Sequence, residues 1–78
     1  MRLTIDLHGM GVAEAKRTLE RFLNEAPADC REIVVVHGHT KGDALKGLLE
    51  DPNGIRHRRI VRRKFTKNPG ETVLVLDV

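Results

Sequence analysis

Apolar and polar residues alternate at the start of the chain. Leu3, Ile5 and Leu7 fall on one face of an extended segment, and Thr4, Asp6 and His8 fall on the other. A period of two marks a half-buried strand, so residues 2–7 are predicted to form one. The period then changes. Val12, Ala15, Leu19, Phe22, Leu23 and Ala26 recur at helical spacing and make one apolar stripe. Gly11 is an acceptable N-cap, Glu14 sets an acid against the helix dipole, and Pro27 with Asp29 marks the exit. A helix over residues 12–26 follows.

Residues 31–36 include Ile33-Val34-Val35-Val36, apolar on both faces, as a central parallel strand requires. The polar, glycine-bounded segment Gly38-His39-Thr40-Lys41-Gly42 comes next. Beyond it, Leu45, Leu48 and Leu49 outline a short helix with Asp43 as its expected cap and Asp51-Pro52-Asn53-Gly54 as its end. Residues 58–65 form a basic third strand and residues 72–78 a fourth. Asn68-Pro69-Gly70-Glu71 between them has the composition of a type II turn, which predicts a hairpin. The expected fold is α/β: a single domain over residues 1–78, a βαβαββ two-layer sandwich with a four-stranded mixed sheet and both helices on one face.

With 78 residues and one cysteine, Cys30, the chain holds one small core and no internal disulfide. Cys30 reads as a small buried hydrophobe. A reducing compartment suits it, and no apolar run resembles a signal peptide or a membrane span, so a soluble cytoplasmic protein is expected.

The charge is unevenly placed. Residues 1–55 carry seven Lys/Arg and nine Asp/Glu, a net of −2, whereas residues 56–78 carry seven Lys/Arg and two Asp/Glu, a net of +5. Such a basic stretch suits a phosphate polymer, or equally a solvated edge strand kept from aggregating. Arg62, Arg63, Lys64 and Lys67 are the expected phosphate contacts. Phe65 is the ring available for stacking, since the chain has no Trp or Tyr.

Two strands end on the same dipeptide: His8-Gly9 and His37-Gly38. If these strands are parallel neighbours, both imidazoles reach the carboxyl-end edge of the sheet, where open α/β sheets bind ligands. Asp6 shares a strand face with His8 and is placed to orient its ring. Asp6, His8 and His37 are therefore the candidate catalytic residues for acid/base work on a phosphodiester. Gly9, Gly38, His39, Thr40, Lys41 and Gly42 are candidate phosphate contacts, glycine admitting close backbone approach and Lys41 adding a cation. Asp6, His8, His37 and His39 are also suitable types for a divalent metal. However, they lack a tight ligand spacing, so no cofactor is assigned and a metal stays the lesser reading.

These motifs resemble those of the Smr (small MutS-related) domain family. Ile5-Asp6-Leu7-His8-Gly9-Met10 with Glu14-Ala15 is similar to its L-D-x-H-G motif. Val36-His37-Gly38 with Gly42 is similar to its H-G-x-G-x-G motif, and Asn68-Pro69-Gly70-Glu71-Thr72 to its closing hairpin. The second motif departs from the pattern at Thr40, where the family has glycine. The resemblance implies a βαβαββ fold like that of the C-terminal domain of bacterial translation initiation factor three. It also implies DNA or RNA binding and endonuclease activity, either nicking DNA or cleaving RNA on ribosomes, in DNA repair or RNA quality control. By motif position the family's functional acid and histidine fall on Asp6 and His8. The expected function is a nucleic-acid endonuclease, and the alternative is a non-catalytic module that docks on nucleic acid or a ribosome.

Overall fold

A computed structural model of the chain describes residues 1–38 and 43–77. The elements run β1 (Arg2–Asp6), α1 (Val12–Glu25), β2 (Glu32–Val36), α2 (Asp43–Glu50), β3 (Ile60–Phe65) and β4 (Glu71–Leu76). The strands form a mixed sheet in the order β1-β2-β4-β3. β1 and β2 are parallel, with Asp6 beside Val36. β4 runs antiparallel to both β2 and β3. The hairpin thus folds back so that its second strand lies inside the sheet and the basic strand β3 takes the edge.

The sheet register separates two faces. Leu3, Ile5, Ile33, Val35, Leu74 and Leu76 belong to the core beneath the helices, together with Ala15, Leu19 and Leu23 of α1 and Leu45 and Leu49 of α2. Val12, at the start of the predicted stripe, is instead exposed. Gly11 is the N-cap of α1, without a side-chain bond, as its lack of a side chain dictates. Asp43, expected as a cap, is the first residue of α2. Cys30 is fully buried.

Two local expectations change. Strand β3 begins at Ile60 rather than at 58, because Arg58 and Arg59 belong to the loop that returns from α2. The turn at 68–71 is closed by the Glu71 amide donating to the Asn68 carbonyl. It is not type II, because the positive φ angles of the described residues fall on Gly9 and Gly38 and not on Gly70. The turn with that signature lies at 7–10. There the Met10 amide donates to the Leu7 carbonyl, and Gly9 takes φ 83° in the third position. No helix among the described residues is long and apolar enough to cross a membrane.

Candidate nucleic-acid site at the strand ends

The parallel pairing of β1 and β2 brings both His-Gly steps to one edge of the sheet. The Leu7 amide extends the pairing by donating to the Val36 carbonyl at 2.7 Å. Gly38, at φ 90°, sits directly against His8: a Cβ placed on it would lie 3.4 Å from the His8 Cβ. Left-handed backbone favours glycine at both steps, because other L residues pay a steric cost there. Each strand can therefore turn away immediately after its histidine.

The two histidines have opposite environments. His8 and Asp6 are solvent-exposed, with side chains 68% and 54% accessible. The His8 Nδ1 lies 2.6 Å from Asp6 Oδ1, and the His8 backbone amide donates to the same oxygen at 3.0 Å. The hydrogen bond from the His8 ring, then that from its amide, holds the Asp6 carboxyl below its usual value. An ionised carboxylate only accepts, so Nδ1 carries the proton in this pair and Nε2 faces solvent as the free ring nitrogen.

His37 is 1% exposed. Its Nδ1 lies 2.9 Å from the Gly38 carbonyl oxygen, and its Nε2 lies 3.0 Å from Thr72 Oγ1. A carbonyl only accepts, so Nδ1 donates, and in the neutral ring Nε2 accepts from the Thr72 hydroxyl. Both nitrogens are thus engaged within the protein. The His37 and Gly38 amides also converge on the Gly70 carbonyl, at 2.9 and 3.1 Å. His37 therefore ties the end of β2 to the hairpin turn and to β4. Thr72 and Gly70 were not among the expected site residues. The available signal was a threonine at a core-facing position of an otherwise apolar strand.

The basic stretch does not form one patch. Arg62 and Lys64 project from the sheet face opposite the helices, where the register sets them beside Val75 and Val73. Lys64 pairs with Glu32 at 2.5 Å, and Arg2 approaches the same carboxylate at 3.5 Å. This pairing, led by the Lys64 hydrogen bond, holds Glu32 below its usual pKa. Arg63 points to the helix side and donates to the Ile55 carbonyl at 2.5 Å. Arg59 donates to the carbonyls of Leu23, Ala26 and Pro27 at 2.7–2.8 Å, capping the end of α1, which has no basic residue of its own in its last turn.

β3 runs in the same direction as β1 and β2, so its carboxyl end brings Phe65 and Lys67 toward the His8 edge. Phe65 is 64% exposed. His39, Thr40, Lys41 and Gly42 lie outside the described residues. Among the described residues, no three His, Cys, Asp or Glu side chains gather as a metal site. Asp6 and His8 come together, while His37 turns into the core.

The Smr domain model matches residues 5–68, from the end of β1 to the hairpin turn, and spans both His-Gly steps. The chain belongs to the Smr domain family. The crystal structure of the Smr domain of Thermus thermophilus MutS2 is similar to it, with 26% sequence identity and a TM-score of 0.74 over 96% of this chain and 98% of that one. No curated protein sequence matches the chain. The α+β arrangement read from the sequence is thus that of a solved Smr domain. Smr domains are nucleic-acid-binding modules, in a family known for nicking endonuclease activity.

Proposed function

We propose that this Smr domain is a nucleic-acid endonuclease whose reacting pair is Asp6 and His8. The observation that carries the proposal is the 2.6 Å contact between Asp6 Oδ1 and His8 Nδ1 at an exposed strand end. Asp6 fixes the ring's orientation and tautomer, and His8 Nε2 takes the proton of the attacking oxygen. On RNA that oxygen is the neighbouring 2′-hydroxyl. It bonds to phosphorus as the bond to the 5′-oxygen breaks, leaving a 2′,3′-cyclic phosphate and, after protonation, a 5′-hydroxyl. On DNA the attacking group is water, and a divalent metal has more to contribute. Lys67 supplies a phosphate contact and Phe65 offers a stacking surface, whereas Arg62, level with Glu32 at the amino end of the parallel strands, lies away from this pair. The buried His37 positions Gly38 and the hairpin turn in this scheme, and the acid/base role first expected of it gains no support from its burial.

That burial favours a second reading, a binding module without catalysis, since His8 is the one exposed imidazole that the described residues place at this edge. The two readings diverge in a single experiment. Purified protein is incubated with end-labelled RNA and with supercoiled DNA, with and without EDTA. Binding is measured in parallel on a non-cleavable analogue, and co-sedimentation with ribosomes tests ribosomal RNA as the substrate. Under the endonuclease reading, His8→Ala lowers cleavage by about 100-fold or more while binding is kept. If the wild type binds but does not cleave, or the variant cleaves equally, the chain is a binding module.

A further inference from the structure

A cationic cleft lies away from the Asp6–His8 edge. It has a volume of about 420 Å³ and is lined by Pro52, Ile55, Arg56, His57, Arg58, Ile60 and Arg63. It forms where the chain leaves α2 and enters the amino end of β3, whereas His8 follows the carboxyl end of β1 on the opposite edge strand. Among the described residues, three arginines line it and no carboxylate does. None of Arg56, Arg58 and Arg63 makes an ion pair among the described residues.

Arg63 makes the cleft more than a cluster of surface charge. Its terminal nitrogen is anchored on the Ile55 carbonyl, which fixes the guanidinium plane. Its Nε is buried and has no hydrogen-bond partner among the described residues. A buried, charged N–H without an acceptor is costly, so a negative charge close to this guanidinium is favoured. We infer that this cleft binds a phosphate group, held by Arg56 and Arg58 at its rim and by the charge of the Arg63 guanidinium in its wall.

His57 reports on the occupant. Its Nε2 lies 2.7 Å from Asn24 Oδ1, and its Nδ1 accepts from the Arg59 amide at 3.2 Å, which keeps the ring neutral. Burial first, then the charges of Arg58 and Arg59, lowers its pKa, and only Glu20 opposes them. A bound anion offsets the cations and moves that pKa back up. The assignment does not depend on catalysis at Asp6 and His8, and its test reads binding alone.

The test is an NMR titration of the whole chain. The Arg63 Nε–H and His57 ring resonances are followed during addition of inorganic phosphate, a short 5′-phosphorylated oligonucleotide, or its 5′-hydroxyl counterpart. The expected result is saturable movement of both signals, with an upward shift of the His57 pKa. The double variant Arg56→Gln/Arg58→Gln, altered only at exposed side chains, should bind about tenfold more weakly or worse. Tighter binding of the 5′-phosphorylated strand identifies a terminal phosphate, and equal binding of the two strands identifies a backbone phosphate. The inference is overturned if inorganic phosphate leaves both signals unmoved, or if the double variant binds as the wild type does.

Discussion

Two glycines do different work at the site, although each follows a histidine and each has a positive φ. Among the described residues, a Cβ on Gly9 would meet nothing within 4 Å, whereas one on Gly38 would touch the His8 Cβ at 3.4 Å. Left-handed backbone costs an L residue about 1–2 kcal/mol, so Gly9→Ala and Gly38→Ala should destabilise the fold by similar amounts in urea titrations. Only Gly38→Ala should also disturb the His8 ring, seen as a change in the His8–Asp6 hydrogen bond by NMR and as a fall in any His8-dependent cleavage. Both histidines and Asp6 were legible as site candidates because they stand at the ends of recognisable strands. The burial of His37 was not legible. It depends on Thr72, which lies 35 residues away and reaches the ring only once β4 pairs with β2.

At the scale of elements, α1 shows how a distant side chain completes a helix. Its stripe of Ala15, Leu19 and Leu23 docks it on the sheet. Its carboxyl end is satisfied by Arg59 from the loop before β3. Arg59→Leu should therefore lower the unfolding free energy by about 2 kcal/mol, through lost charge-assisted hydrogen bonds and lost dipole compensation. That is a large share of a small domain's stability and is measurable as a lower urea midpoint. Lys at this position should recover part of the loss, because one ammonium cannot fork to three carbonyls. The helix itself was readable from periodicity. The role of Arg59 was not, since in sequence it is one more cation in a basic run.

Across the whole molecule, the +3 charge is less informative than its division. Arg59 caps a helix, Lys64 pairs with Glu32, Arg56, Arg58 and Arg63 line the cleft by α2, and Arg62 stands level with Glu32 at the amino end of the parallel strands, leaving Lys67 as the described cation of the stretch at the Asp6–His8 edge. Affinity for single-stranded nucleic acid at that edge should fall only shallowly with salt, at a log–log slope of about −0.7 for each described phosphate contact. A continuous seven-cation patch would instead give about −5 by the same rule. Fluorescence anisotropy across a range of KCl concentrations, with Lys67→Gln reducing the slope, distinguishes them.

The sequence alone determined the elements and their order, the apolar faces and the family motifs. All of these follow from local periodicity and turn chemistry, which neighbouring residues encode. Only the tertiary structure decided that β4 inserts beside β2, which closes Thr72 onto His37 and leaves His8 with Asp6 in solvent. It also decided which cations are free. Hydrogen bonds and ion pairs between residues about 30 positions apart depend on strand order, and strand order is set by burying the whole apolar surface at once rather than by any one segment.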